Sequence, residues 1–162
     1  LWVTIVRLFN TIGPRQTGRY GMVVPRFVRQ AVAGEPMTVF GDGSQSRCFC
    51  DVRDTVEGLA ALMDHTESAG RVFNIGGDRE IEIRKLAHLV RDRAASSSEI
   101  RHISLEEAYG VEVAEIARRR PRLDNLRGVI EFEQRHPLVE TLDELIERER
   151  SAPSESSERR GP

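Results

Sequence analysis

The sequence is poor in several features, and each shortage excludes a class of protein. No stretch approaches the ~18 consecutive apolar residues of a membrane-spanning helix. The two cysteines, Cys48 and Cys50, are too few for a disulfide framework or a zinc ligand set, so we expect a reducing cytoplasm. Lys85 is the only lysine, and the net charge of −2 argues against a general polyanion binder. We therefore expect neither a nucleic-acid nor a membrane partner.

The remaining composition fits a globular domain in water. A chain of 162 residues, 39% hydrophobic and 31% charged, is long enough for one domain with a core. We expect residues 1–150 to form that domain and residues 151–162, which have almost nothing to bury, to form a disordered tail. The start, "LWVTIVRLFN", has neither an initiator Met nor the order of a signal peptide. We therefore expect a fragment that begins within a strand.

Apolar patterns alternate between strand and helix along the chain, which predicts an α/β fold. Strands are predicted where apolar and β-branched residues run together and stop at turn residues. These runs lie at 3–9, 37–40, 47–52, 72–75 and 100–104. Helices are predicted where apolar residues recur three and four positions apart. They lie at 24–33, 54–65, 83–90, 105–117, 123–130 and from 141 onward.

A capping-box pattern predicts where two of these helices begin. Asp54 is followed three residues later by Glu57, and Thr141 is followed three residues later by Glu144. In this pattern the first side chain accepts a hydrogen bond from the helix and the acidic side chain reaches back. The pattern predicts helix starts at Asp54 and Thr141.

Polar residues near strand ends are the first candidates for a binding site. Asn10 follows a buried strand, at the edge where open parallel sheets bind ligands. Its amide can bind a sugar hydroxyl or a phosphate oxygen, or it can belong to a turn that bonds its own backbone. Arg47 follows the glycine turn of "VFGDGSQSR". Its guanidinium suits a diphosphate, and the alternative is a surface arginine beside a hairpin-like turn.

Other conspicuous residues have plainer interpretations. Cys48 and Cys50 share one face of a predicted strand and are predicted to be small buried hydrophobes. The arginine run at 118–122 fits a solvated turn, an anion site or a nucleic-acid patch, in decreasing order of preference. The four histidines lack the spacing of metal ligands, so no metal site is predicted.

Together, several segments resemble the C-terminal half of the extended short-chain dehydrogenase/reductase family, the NAD-dependent epimerases and dehydratases. The segments are "RLFNTIGPRQ", "VVPRFVRQAVAGEPMTVFGDGSQSRCFCDVRDTVEGL", "VFNIGG", and "EEAYG" followed by the arginine run and Pro121. The resemblance is strongest to UDP-glucuronate decarboxylases and UDP-glucose 4-epimerases. It implies the last strands and helices of a Rossmann-type parallel sheet plus the small C-terminal substrate-binding subdomain.

The resemblance also implies a clamp for a sugar nucleotide, with a UDP-sugar expected. Asn10 would contact the sugar or its phosphate, and Arg47 would bind the diphosphate. Either Arg119 or Arg120 would supply the second arginine for the phosphates. The residues implied to lie along the diphosphate and the base are Val23, Val24, Thr38, Val39 and Phe40. The residues implied to lie near the cofactor, NAD, are Thr11 and Arg15.

Three features depart from the family pattern. Arg122 stands where the family has an acidic residue, and "EFEQRHP" replaces the usual Gly-Trp-x-Pro before the last helix. The chain also contains neither the Gly-x-x-Gly-x-x-Gly loop nor the Tyr-x-x-x-Lys pair. In the family that tyrosine removes the proton of the sugar C4 hydroxyl while hydride passes to NAD, and the 4-keto sugar is then epimerised, dehydrated or decarboxylated.

These departures set the expected function. We expect the chain to bind the sugar nucleotide for such an enzyme, to contain no catalytic residue and to be inactive alone. The NAD would then be bound mainly by an N-terminal half outside this chain, and the full-length protein would be a homodimer. The alternative is a non-catalytic sugar-nucleotide-binding or interaction module.

Overall fold

The computed structural model describes residues 2–16, 22–110 and 116–152, and its order of elements confirms the α/β class. The strands are Ile5–Leu8 (β1), Thr11–Ile12 (β2), Met37–Phe40 (β3), Ser46–Cys48 (β4), Cys50–Asp51 (β5), Val72–Ile75 (β6), Glu80–Glu82 (β7), Ile100–Ile103 (β8) and Arg118–Arg119 (β9). The helices are Val23–Ala33 (α1), Val52–Asp64 (α2), Ile83–Arg93 (α3), Leu105–Tyr109 (α4), Asp124–Arg127 (α5) and Leu138–Ser151 (α6).

Parallel pairing dominates the small sheets. β1 pairs with β6, β2 with β5 and β3 with β8, all in parallel. β4 lies between antiparallel β7 and parallel β9, two short strands that the apolar pattern did not predict. β3 and β4 belong to different sheets, so the turn between them closes no hairpin and the hairpin-like interpretation is wrong. Gly41 and Gly43 in that turn have φ of 66° and 71°, which glycine adopts without strain.

Two buried clusters hold these elements together. The first joins α1, α3 and α6 over β3, and its fully buried members include Phe27, Met37 and Leu86. The second joins α2, β6 and the segment around α5, and is built on Phe73 and Ile75. Burying one large apolar side chain stabilises a fold by about 1.5–3 kcal/mol, so these clusters fix the positions of the strands that carry the polar candidates.

The predicted start of the second helix is wrong. α2 begins at Val52, and its N-cap is Asp51, which accepts a hydrogen bond from the backbone N–H of Arg53 at 2.8 Å. The strand predicted through Val52 therefore ends at Asp51. Asp54 is buried and accepts hydrogen bonds from a distant segment instead of capping its own helix.

The last helix also begins earlier than predicted. α6 starts at Leu138, after Pro137, so Thr141 lies within its first turn. The Thr141 hydroxyl is buried and donates to Asp51 Oδ2 at 2.7 Å. Thr141 therefore ties α6 to the start of α2, a tertiary role that the capping pattern does not predict.

The remaining differences concern lengths. The helix predicted over 105–117 ends after Tyr109, where Gly110 takes a φ of 70°, and residues 111–115 lie outside the described residues. The helix predicted over 123–130 is the short α5. α6 continues to Ser151, and the predicted tail lies, from residue 153 on, outside the described residues. No helix within the described residues is both long enough and apolar enough to cross a membrane.

Candidate functional site

Arg47 and Arg119 lie on neighbouring strands, with their backbones side by side and their side chains on one face of a sheet. The register of β4 pairs Arg47 with Arg119 of β9 and with Ile81 of β7. Paired residues of neighbouring strands point to the same face. Arg47 is half-buried, and its Nη1 donates to the carbonyl oxygen of Ser46 at 2.7 Å. The guanidinium carbon of Arg119 lies 5.3 Å from the centre of the Phe9 ring.

This arginine pair has a positive charge that the described neighbours do not balance. Within the described parts of the chain, neither Arg47 nor Arg119 forms an ion pair, whereas Arg118 is paired with Glu80. Like charges on directly paired residues of neighbouring strands destabilise a sheet. An anion bound between the two guanidinium groups removes that cost, and their planar forks suit phosphate oxygens.

Arg120 does not share the face of Arg119. Arg118 pairs in register with Ser46, and its Nε donates to Glu80 Oε1 at 2.7 Å. The hydrogen bonds from Arg118 and Ser46 lower the pKa of Glu80 to about 2. Arg120 lines the same cavity as Arg118, and Arg119 does not line it, so Arg120 lies on the side of Arg118. The structure thus separates the two arginines that the sequence left as alternatives.

Asn10 lies where β1 ends and next to β4. It has a φ of 38°, a left-handed conformation that asparagine tolerates better than most residues. Its Nδ2 donates to the carbonyl oxygen of Cys48 at 2.8 Å, which is 38 positions away. The interpretation of Asn10 as a turn residue bonding its own backbone is therefore wrong. Its Oδ1 accepts no hydrogen bond from a described residue, so this acceptor is available to a ligand.

The two cysteines are interior residues. Both thiols are free and buried, with 0% of Cys48 and 1% of Cys50 exposed. Burial raises the pKa of each thiol to about 11. These observations confirm the interpretation as small buried hydrophobes.

The residues implied to line the base divide into two groups. Val24 and Val39 are 1% and 0% exposed, and their side chains belong to the first buried cluster. Only their backbone is therefore placed to contact a ligand. Val23 and Phe40 are half-buried. The Phe40 ring has the guanidinium of Arg26 stacked 3.9 Å from its centre.

Thr38 is engaged by α1. Its backbone N–H donates to Gln30 Oε1 and its hydroxyl accepts from Gln30 Nε2, both at 3.2 Å. Its carbonyl oxygen accepts from Arg26 Nη2 at 3.1 Å. These contacts fix the edge of β3 against α1.

Thr11 and Arg15, implied to lie near NAD, follow β1. The Thr11 hydroxyl is 3.5 Å from the hydroxyl of Thr55 on α2. Arg15 is exposed and has a φ of 68°. Among the described residues, Arg15 forms no ion pair.

One polar cluster was missed by sequence reasoning. Asp54 Oδ1 lies 2.6 Å from His136 Nδ1, and the carboxylate also accepts the backbone N–H groups of Arg135 and His136 at 3.2 Å. The two partners lie 82 positions apart, and no local pattern signals such a pairing. The contact gives the His136 ring a hydrogen-bond partner within the fold.

Comparison with known proteins shows which family the first part of the chain resembles. Residues 1–76 match the model of the NAD dependent epimerase/dehydratase family. The match covers just under half of the chain, so the chain is similar to members of this family. As an α/β chain with parallel strands, it has the Rossmann-like fold of the family's epimerases.

Individual members of the family match most of the chain but only part of their own length. The chain is 41% identical over 138 residues to a UDP-N-acetyl-alpha-D-glucosaminuronate decarboxylase of Bacillus cytotoxicus, covering 85% of this chain and 42% of that protein. It is 37% identical to UDP-glucuronic acid decarboxylase 1 of Xenopus tropicalis, covering 89% of this chain and 32% of that protein. The crystal structure of a UDP-glucose 4-epimerase from Thermotoga maritima with UDP-glucose matches with a TM-score of 0.81 and 25% identity. The match covers 93% of this chain and 47% of that chain. The chain thus spans less than half of these relatives.

Proposed function

We propose that this chain is the sugar-nucleotide-binding half of an NAD-dependent sugar-nucleotide epimerase, dehydratase or decarboxylase, with a UDP-sugar as substrate. The observation that carries the proposal is the pair of Arg47 and Arg119 in register on one sheet face, without an ion pair to a described residue. Relatives whose names specify UDP-sugar decarboxylation support this substrate class.

The proposed clamp works by binding remote from the reacting carbon. Arg47 and Arg119 hold the diphosphate, and Asn10 offers its free Oδ1 to the sugar or its phosphate. The backbone of Val23, Val24, Thr38 and Val39, together with the Phe40 ring, lines the diphosphate and the base. Binding energy from the nucleotide then positions the sugar for chemistry carried out by other groups.

NAD would be held mainly by residues outside this chain. Thr11 and Arg15 are the residues that we assign to the cofactor side, and an accessible guanidinium and a hydroxyl fit its phosphate and ribose oxygens. When bound, NAD supplies the hydride acceptor for transient oxidation at C4. The chain itself contributes binding and orientation.

The edge of β1 supports the proposal that a further part of the enzyme joins here. Within the described residues β1 pairs only with β6, so its other edge has unpaired backbone groups. The apolar side chains of Trp2, Ile5 and Leu8 around this edge are 76%, 54% and 48% exposed. An additional parallel strand would satisfy the edge and cover these side chains.

Calorimetric titration of the chain with UDP, UMP and uridine tests the clamp. We expect UDP to bind more tightly than UMP, and UMP more tightly than uridine, because each phosphate adds charge-assisted hydrogen bonds. NAD should not change the affinity for UDP. Equal binding of UDP and uridine would contradict a diphosphate clamp. The alternative, a non-catalytic module, predicts the same order but no turnover of any UDP-sugar by the full-length protein.

A further inference from the structure

A second cluster of arginines surrounds a cavity on the other side of β9 from the proposed clamp. The cavity has a volume of about 420 Å³. Its charged lining consists of four arginines and two aspartates: Arg118, Arg120, Arg122, Arg127, Asp78 and Asp124. The lining therefore carries a net charge of +2, from four positive and two negative groups.

Part of this positive charge has no partner among the residues that the structure describes. Arg118 is paired with Glu80, and Arg127 Nη2 lies 2.8 Å from Asp78 Oδ2. The side chains of Arg120 and Arg122 are exposed and form no hydrogen bond or ion pair with a described residue. The guanidinium groups of Arg120 and Arg122, and the carboxylate of Asp124, thus line the cavity without an ion-pair partner among the described residues.

The backbone holds these arginines in place. Pro121, which is buried, lies between Arg120 and Arg122 and fixes one backbone torsion. The carbonyl oxygen of Arg122 accepts a hydrogen bond from Asn74 Nδ2 of β6 at 3.0 Å. Less conformational freedom is lost when an anion binds to groups that are already positioned.

We propose that this cavity is a second binding site, for a small anion that carries phosphate groups, and that it is separate from the site of the sugar nucleotide. Arg120 and Arg122 supply the free forks, while Arg118 and Arg127 add charge without leaving their carboxylate partners. The site lies on the opposite face of β9 from Arg119, so one two-residue strand carries an arginine for each site. Occupancy of the second site would hold β9 and thereby the position of Arg119.

The test uses the 162-residue chain with Arg47→Ala, in which the proposed clamp is weakened by the loss of one of its two arginines. We expect calorimetric titration to show binding of pyrophosphate to this chain. Arg120→Gln with Arg122→Gln should weaken that binding by about tenfold or more, because both free forks are lost. Added salt should weaken it as well, because the arginines are exposed. Orthophosphate and glucose 1-phosphate, titrated in parallel, distinguish a bare phosphate group from a sugar-linked one.

A matched control removes two exposed arginines elsewhere, Arg29→Gln with Arg148→Gln, and leaves pyrophosphate binding unchanged. The thermal midpoint of each variant checks that folding is intact. In the chain with Arg47 present, the Arg120 and Arg122 substitutions should leave the affinity for UDP unchanged. The proposal is overturned by an equal loss in the control pair, by no binding of any phosphate compound to the Arg47→Ala chain, or by a loss of UDP affinity in the Arg120 and Arg122 variant.

Discussion

Replacement of Arg47 by Ala is the most direct way to test the clamp. Within the described residues, the half-buried Arg47 makes one side-chain hydrogen bond, to the carbonyl oxygen of Ser46 at 2.7 Å, and no ion pair. A charge-assisted fork onto a diphosphate contributes on the order of 2–4 kcal/mol. Arg47→Ala should therefore weaken UDP binding by roughly 30- to 700-fold. Arg47→Lys keeps the charge but loses the fork, so we expect only partial recovery.

Stability measurements separate this effect from unfolding. Arg47 and Arg119 are paired in register, and like charges in such pairs are unfavourable, so the free chain should be no less stable with alanine at position 47. Arg119→Ala should produce a similar loss of UDP affinity. The double variant should lose less than the sum of the two single losses, because both arginines hold the same diphosphate.

Uridine and an unrelated arginine provide the controls. Uridine affinity should not change in Arg47→Ala, since the nucleoside has no phosphate for the fork. Arg29→Ala removes an exposed arginine of α1 and should leave UDP affinity unchanged. The clamp assignment fails if Arg29→Ala and Arg47→Ala lose equal affinity, or if the Arg47→Ala loss is accompanied by a matching loss of folded protein.

Three further outcomes follow from the interior contacts. Burial opposes ionisation of Asp51, but hydrogen bonds from neighbouring groups outweigh burial and lower its pKa from 3.8 to about 2. The ionised carboxylate therefore stabilises the fold above about pH 4, and this contribution is lost as the pH falls toward about 2. Asp51→Asn should therefore remove about 2 kcal/mol at pH 7 and flatten the acid limb of a urea-unfolding series. Cys48 and Cys50, with pKa raised to about 11 by burial, should react with a thiol reagent at pH 8 only after denaturant is added. Gly77→Ala should destabilise by about 3 kcal/mol or more in chemical denaturation, because the new Cβ would lie 2.2 Å from the carbonyl oxygen of Phe49. The Asp51 prediction is contradicted if Asp51→Asn keeps the acid limb of the wild type. The cysteine prediction is contradicted by fast labelling of the native thiols, and the Gly77 prediction by an unchanged unfolding midpoint.

Most elements were predictable because their signals are local. The three-and-four spacing of apolar residues located α1, and Gly34 ended it with a φ of 70°. The apolar runs at β3 and β6 likewise appear as strands. The pairing of β4 with β7 and β9 was not predictable, because each partner contributes three residues or fewer and the pairing joins distant parts of the chain.

The choice between Arg119 and Arg120 shows the same limit in the candidate site. Consecutive residues of a strand point to opposite faces, so only one of the two can accompany Arg47. The sequence shows two neighbouring arginines but not the strand register that selects one of them. The pairing of Arg119 with Arg47 makes that selection, and it is the reason that we propose Arg119 for the phosphate contact.

The misplaced helix starts have a common physical cause. Short polar side chains such as those of Asp54 and Thr141 bond equally well to a helix N-terminus or to a distant group. Here Asp54 binds the backbone of Arg135 and His136, and Thr141 binds Asp51. The buried carboxylate of Asp54 therefore connects α2 to the segment before α6, and that of Asp51 connects the start of α2 to α6 itself.

This use of buried carboxylates explains how the unusual segment before α6 still packs. The family pattern Gly-Trp-x-Pro is replaced by "EFEQRHP", yet Phe132 is buried and Gln134 Nε2 donates to the carbonyl oxygen of Phe49 at 2.9 Å. Two backbone N–H groups and the His136 ring then converge on Asp54. Since a buried carboxylate is costly without such partners, the segment is held in one conformation. α6 consequently reaches α1, whose first residues are proposed to line the nucleotide.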